Sequence, residues 1–340
     1  MASLKSLAKD TAIYGMSSII GRFLNYLLVP LYTAKISAAS GGYGVITNMY
    51  AYTALILVIL TYGMETTFFR FVNKEEENSE KVYHTVLCMV GTTSLLFIAL
   101  VFLFISPLSN MMGYADHPAY VWTMFVTVAI DAFQCIPFAY LRFKKRPLKF
   151  AAFKLLFIGM NILLNIVYYV FMDGHDVGYA FYINLVCTAS ITFCFYKEII
   201  EGFRGEKASW AETKVLIKKM LGYSWPILVL GIAGILNQTA DKILFPYIYK
   251  GANAHEQLGI YGAASKIAMI MAMITQAFRF AYEPFVFGNA KEKDNRKMYA
   301  SAMKYFVIFT LLAFLVVVGY MDLLRHIIGR DYWEGLNVVP

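Results

Sequence analysis

Seven charged side chains stand inside long apolar stretches of this chain: Arg22, Glu65, Asp131, Asp241, Lys242, Arg279 and Glu283. A charge at bilayer depth costs roughly 2.5–3.5 kcal/mol even on lenient insertion scales, so it normally faces a partner or a watery cavity. Several such charges on different helices imply a polar route or pocket through a membrane. That is the signature of a transporter or channel.

Their spacing says what chemistry they could do. On the first apolar stretch Ser18, Arg22 and Asn25 fall at i, i+4 and i+7, on one helix face. Arg22 is near mid-span, and a guanidinium fork donates two parallel hydrogen bonds to a phosphate. The alternative is an arginine satisfied by backbone carbonyls or by a nearby acid. On the seventh stretch Asn237, Gln238, Asp241 and Lys242 form a polar stripe. Asp241 and Lys242 are adjacent, so they leave the helix about 100° apart and are not expected simply to neutralise each other. Pro226, Gly231 and Gly234 should loosen the same helix, which suits a rocking transporter.

Arg279 and Glu283 on the eighth stretch are four residues apart and placed to pair. Glu65 and Arg70 stand near one end of the second, where Arg70 can snorkel to the interface. Asp131 lies near the middle of the fourth, with Thr127 and Gln134 on its face. It is either the protonated group of a coupled step or a structural partner for Arg22. Lys154, Asn161 and Asn165 share a face of the fifth stretch, and Asn184 and Thr188 one of the sixth. Such groups glue helices together or line a sugar-compatible cavity.

The elements that must position these residues are membrane helices. Hydrophobic residues make up 59% of the chain and charged residues 15%, against about 25% charged in a soluble domain. Apolar runs of about 20 residues mark spans. They lie near 10–35, 44–71, 83–106, 118–142, 149–171, 177–197, 222–249, 258–287 and 302–321. The first is too long, and too interrupted by Arg22, for a cleavable signal peptide. Lys and Arg crowd the alternate connections 143–149 (with Arg142 counted at its edge), 198–220 and 289–301, which places these and the N-terminus in the cytoplasm. Arg325 and Arg330 are the exception, in what reads as an interfacial stretch or a miscounted end. The net charge of +8 is spread through these connections and not gathered on one face or tail, so nucleic acid is not expected as a partner. Cys88, Cys135, Cys187 and Cys194 all lie in apolar spans and read as packing. The five histidines show no metal-ligand spacing, and neither a cofactor nor a metal is expected.

The first two spans resemble the seventh and eighth. Pro30 and Pro246 each precede a short polar stretch ending in Gly-x-Tyr-Gly, at Gly41–Gly44 and Gly259–Gly262. Glu65 and Glu283 stand equally far beyond the two tyrosines, Tyr43 and Tyr261, and Arg22 and Asn25 align with Gln238 and Asp241. A repeat unit of six helices, an even number, gives halves of equal orientation, with a binding site expected between them. The division is then an N-terminal six-helix lobe over 1–200 and a partial C-terminal lobe of about three helices over 201–340. The chain stops at Pro340, where a tenth helix should begin, as in a fragment or a shortened twelve-helix design.

The string GMETTFFRF at Gly63–Phe71 resembles the end of the second helix of polysaccharide flippases, as does Tyr43-Gly44 before it. Pro226, Asp241-Lys242, LGIYGAASK from Leu258 to Lys266, and Glu283-Pro284 resemble the same family's seventh and eighth helices. The resemblance implies an all-α polytopic membrane protein with the two-lobed transporter fold, lying among membrane lipids in the bacterial cytoplasmic membrane. The implied activity is to move undecaprenyl-pyrophosphate-linked oligosaccharide between leaflets through a cationic cavity, with possible coupling to H+ or Na+ and no enzymatic step. Carried over by position, Arg22, Lys242 and Arg279 face the pyrophosphate or acidic sugars, with Asn25, Asn237, Gln238 and Asp241 beside them. Glu65, Asp131 and Glu283 are the coupling or gating candidates. A cation-coupled multidrug exporter of the same superfamily is the alternative, and it would want a cavity with a net acidic or aromatic lining. A polysaccharide-assembly enzyme in the membrane is another, but it would want a large outer loop or a buried histidine.

Overall fold

The structure is a computed structural model that describes residues 26–73, 78–204, 210–288 and 295–339. Of residues 210, 273, 274, 276–288 and 295–298 it describes the backbone alone. Every regular element of the described residues is helical. In chain order these are α1 (Leu28–Lys35), α2 (Gly42–Thr61), α3 (Met64–Val72), α4 (Ser79–Leu103), α5 (Ile105–Met111), α6 (Pro118–Phe143) and α7 (Pro147–Ile166). They continue as α8 (Gly178–Cys194), α9 (Tyr196–Arg204), α10 (Trp210–Ile248), α11 (Ala254–Gly288), α12 (Asn295–Gly319) and α13 (Met321–Leu324), before a last 3-10 stretch, Arg330–Val338.

Local signals explain several boundaries. Asn78 caps α4, its side chain accepting from the backbone N–H of Glu80. Pro118 and Pro147 open α6 and α7, where the missing N–H costs nothing. Among the described residues six helices are long and apolar enough to cross a membrane, and α8 with α9, bent by 52°, makes a seventh if the pair is one span. The expected first span lies mostly outside the described residues, and the expected eighth is the 35-residue α11. The looseness expected of α10 does not break it: the helix runs through both Pro226 and Pro246 for 39 residues.

The described residues form two compact units, 46–250 and 26–45 with 251–339. In the first, apolar faces of α3, α4, α6 and α10 meet around Met64, Phe68, Val86, Leu87, Ile136 and Met220, all fully buried. At one end of this unit α9 lies against α4, with the Tyr83 hydroxyl donating to the carbonyl of Glu198 at 3.1 Å. The turn between α6 and α7 (Arg146) and the start of α7 (Lys149) reach the same helix.

In the second unit the 3-10 stretch packs on α1 and α11. Tyr332 is fully buried, and its hydroxyl donates to the Ile36 carbonyl at 2.8 Å. The backbone N–H of Gly329 donates to the Thr33 hydroxyl at 3.0 Å. The stretch holding Arg325 and Arg330 is therefore a folded cap on this unit. The two Gly-x-Tyr-Gly strings meet here as well. A Cβ on Gly44 would overlap the His255 carbonyl, and one on Gly259 would stand 2.9 Å from the Gly44 nitrogen. Gly259–Gly262 lies inside α11 and not at the end of a loop, so the string marks a close crossing of two backbones. Replacing Gly44 by valine is expected to lower the melting temperature of the purified protein through a packing cost of about 1–3 kcal/mol or more. An unchanged melting temperature would show that the crossing can open freely.

Candidate functional site

The first unit gathers ionisable groups within its helix bundle, and a break in the chain aims the first of them. At Gly63 the backbone turns left-handed (φ 71°), ending α2 and starting α3. A side chain there would also meet Ile227 of α10, its Cβ 2.8–2.9 Å from two Ile227 atoms. Glycine fits both demands. The break sets Glu65 in the first turn of α3, turned toward α6.

From α6, Asp131, Cys135, Phe138 and Arg142 fall at i, i+4, i+7 and i+11 and so form one stripe about 16 Å long. The Arg142 guanidinium pairs with Glu65 Oε1, and its face lies 4.9 Å from the Phe69 ring centre. The Cys135 thiol donates to Glu65 Oε2 at 3.6 Å. At Phe138, between Cys135 and Arg142 on the stripe, Lys154 of α7 rests its ammonium 4.0 Å from the ring centre. It lies within electrostatic reach of Asp131, Glu65 and Arg142. Asp131 Oδ1 accepts from the Thr188 hydroxyl of α8 at 3.2 Å. Gln134 ties α6 to α8 by donating to the Thr188 carbonyl at 2.7 Å and to the Thr192 hydroxyl at 2.8 Å.

The result is a layer in which acids and bases alternate: Asp131, Lys154, Glu65, Arg142. Arg142 and Glu65 are 31% and 43% exposed, and for the more deeply set Asp131 and Lys154 the alternation offsets the cost of an isolated ion. It also leaves carboxyl, ammonium and thiol groups close enough to exchange charge states if one neighbour gains or loses a proton. Beyond Asp131, Asn184 donates to the Tyr50 hydroxyl at 3.3 Å, and Asn165 donates to the Asn161 carbonyl at 2.8 Å. Among the described residues no group of three or more His, Cys, Asp or Glu could hold a metal ion.

A second polar group lies on α10. Lys242 Nζ meets Asp241 Oδ2 at 2.9 Å and donates to the Gln238 carbonyl at 3.3 Å. This corrects the expectation that the adjacent charges stay apart: the Cα directions diverge, but the four-carbon lysine stem curls back over both groups. Asn237, Gln238 and Asp241 are exposed, while the Lys242 side chain is 14% exposed. Asn48 of α2 donates to the Lys242 carbonyl at 2.8 Å and accepts from the Tyr114 hydroxyl at 2.8 Å.

Of the sequence candidates, then, the structure joins Glu65 and Asp131 in one layer and Gln238, Asp241 and Lys242 in another group, with Asn237 beside them. Arg22 and Asn25 lie outside the described residues. The backbone of Arg279 and Glu283 is in α11, and their side chains lie outside what the structure describes. Asp131's described partners are Thr188 and Lys154. Sequence reasoning missed Arg142, counted among loop bases, and Cys135, taken as packing. The four-and-three spacing from Asp131 would have found both. Arg70, expected to snorkel, lays its guanidinium 4.3 Å from the Tyr223 ring centre.

Comparison with known proteins adds the following. A family model described as "polysaccharide biosynthesis protein" matches residues 7–281. Protein 1 of the Lsg locus of Haemophilus influenzae is 19% identical, over 95% of this chain and 77% of its own length. Among solved structures, the inward-facing form of a multidrug resistance MATE family transporter of the MOP superfamily superposes with a TM-score of 0.67 at 13% identity. That match covers 97% of this chain and 76% of the other. A MOP superfamily transporter from Pyrococcus furiosus, reported with a binding pocket of reversed polarity, gives 0.59 at 14% identity over 97% and 76%. At these identities the likeness speaks for the fold alone: all-α, polytopic and two-lobed.

Proposed function

This chain belongs to the polysaccharide biosynthesis protein family, and from that premise we propose that it is a membrane transporter of the MOP superfamily, a flippase for undecaprenyl-pyrophosphate-linked oligosaccharide. The observation that carries the reading is the alternating charge layer inside the first unit. Arg142, Glu65, Lys154 and Asp131 sit where a protein that only fills the bilayer would place apolar side chains. A rearrangement of the bundle can exchange partners within such a layer at small cost, because every charge has an opposite one nearby. In this reading Asp131 and Glu65 couple or gate the movement, with H+ or Na+ as the coupling ion, and Glu283 holds the corresponding place in α11. Arg22, Asn25, Asn237, Gln238, Asp241, Lys242 and Arg279 meet the pyrophosphate and sugars. The protein sits in the bacterial cytoplasmic membrane with its N-terminus inside.

Arg22 tests the substrate side. In cells lacking their own flippase, Arg22→Lys is expected to restore surface polysaccharide partly, because the charge stays and the fork is lost. Arg22→Ala is expected to restore almost none. Membrane abundance is measured beside export. Normal export by Arg22→Ala would remove Arg22 from the substrate path, and failure only through loss of protein would make it structural.

A further inference from the structure

The lipid-facing side of the first unit carries an apolar groove of about 500 Å³ between α4, α6 and α8. Gly91, Ala129 and Ala189 leave the space, and Phe203 of α9 borders it. Leu95 and Phe193, also lining it, are 69% and 79% exposed, so the groove opens to the surroundings and not into the bundle. On a membrane-spanning surface its natural filling is hydrocarbon.

Two observations narrow the occupant. Along α4 the lining runs from Leu87 to Ile98, about 16 Å at 1.5 Å per residue. That is about half of a hydrocarbon core some 30 Å thick, or one leaflet. A single acyl chain has this reach, whereas a long polyprenyl chain exceeds it. The second observation is α9, which has the build of an interfacial helix. Tyr196, Ile200 and Phe203, at i, i+4 and i+7, are 43–55% exposed on its outer face. Lys197 and Arg204 flank them, both exposed. Phe203 also packs edge-on against His84, ring centres 6.0 Å apart, and the His84 Nδ1–H donates to the Gly202 carbonyl at 2.9 Å. These contacts hold the basic flank at the groove's mouth.

We propose that this groove holds one acyl chain of an anionic phospholipid from the leaflet at the Arg204 end, with Arg204 and Lys197 facing its phosphate. The lipid wedges between α4 and α8 and steadies the bend into α9. The site stands independently of the transported substrate.

The test uses the full chain purified in mild detergent, with native mass spectrometry in phosphatidylglycerol, phosphatidylethanolamine or undecaprenyl phosphate. One phosphatidylglycerol is expected to stay bound. Arg204→Ala and Lys197→Ala are each expected to weaken it about fivefold. Ala189→Trp, which fills the groove, is expected to abolish it. A second measurement needs no variant: Cys88 lines the groove, and its alkylation by an apolar maleimide, followed by peptide mass spectrometry, is expected to slow when phosphatidylglycerol is added. Equal binding of phosphatidylethanolamine, preference for undecaprenyl phosphate, retention by folded Ala189→Trp, or unprotected Cys88 would each overturn the proposal.

Discussion

Glu198→Ala is expected to produce the largest loss of stability of any single substitution at the α9 end of the first unit. The Glu198 side chain is 1% exposed. Its Oε1 takes Lys149 Nζ at 2.5 Å and Arg146 Nη1 at 3.6 Å, while Oε2 has no hydrogen-bond partner among the described residues. One buried carboxylate thus faces two bases. Without it, both bases keep their charge beside an apolar wall, and α9 loses its tie to the turn between α6 and α7. Breaking a buried pair costs roughly 3–5 kcal/mol. Because Lys149 and Arg146 are 30% and 50% exposed and can turn to water, about 2–3 kcal/mol is the better expectation here. Thermal unfolding in detergent measures it. Glu198→Gln, which keeps the shape, should lose less, and Glu198→Ala with Lys149→Ala should recover part of the loss. A melting temperature for Glu198→Ala equal to that of the unchanged protein would show that α9 is held by its apolar contacts alone.

Glu198 also shows where a reading of the sequence stops. The span pattern is legible because a bilayer imposes a length and a composition, and the hydropathic runs within the described residues are helical, although 44–71 is divided between α2 and α3 and 177–197 runs from α8 into α9. The pairing of charges is set by contacts far apart in the chain. Glu65 meets Arg142, 77 residues on, and Glu198 meets Lys149 across 49. Counting bases by their distance from a span's end assigns Arg142 to the cytoplasmic loop, yet one helical turn decides between loop and bundle, and its long side chain points inward. Lys154 was legible as one face of α7 with Asn161 and Asn165, but not as the neighbour of Asp131, since helix order in space does not follow from hydropathy. The bend at Gly63 is hidden within the hydropathic run 44–71, and the Ile227 side chain that also demands glycine is 164 positions away. Asp241 and Lys242 fail for a different reason: helical geometry fixes where Cα–Cβ bonds point, and a lysine stem is long enough to ignore it.

Neutralising Asp131 is expected to cut export at least tenfold, equivalent to about 1.4 kcal/mol, and to flatten its dependence on pH. Asp131 lies near the middle of α6, held by Thr188 at 3.2 Å and facing Lys154 without a direct ion pair. A carboxyl group in that setting can release its charge by taking a proton, and Lys154 is then left to Glu65, which it shares with Arg142. The same exchange would shift the tie between α6 and α8, because the Thr188 hydroxyl donates to the carboxylate. Asp131→Asn keeps the shape and an accepting oxygen while fixing the neutral state. Lys154→Met should also impair export, because it strands Asp131. The double variant should fold better than Asp131→Asn alone, because an absent pair costs less than a single buried charge. Export is followed across pH in cells, with membrane abundance and thermal unfolding measured on the same three proteins. Export by Asp131→Asn that is normal in rate and unchanged in pH profile would deny Asp131 a part in coupling. If export falls only in proportion to abundance, and the double variant restores both together, the layer is structural and the coupling group lies elsewhere.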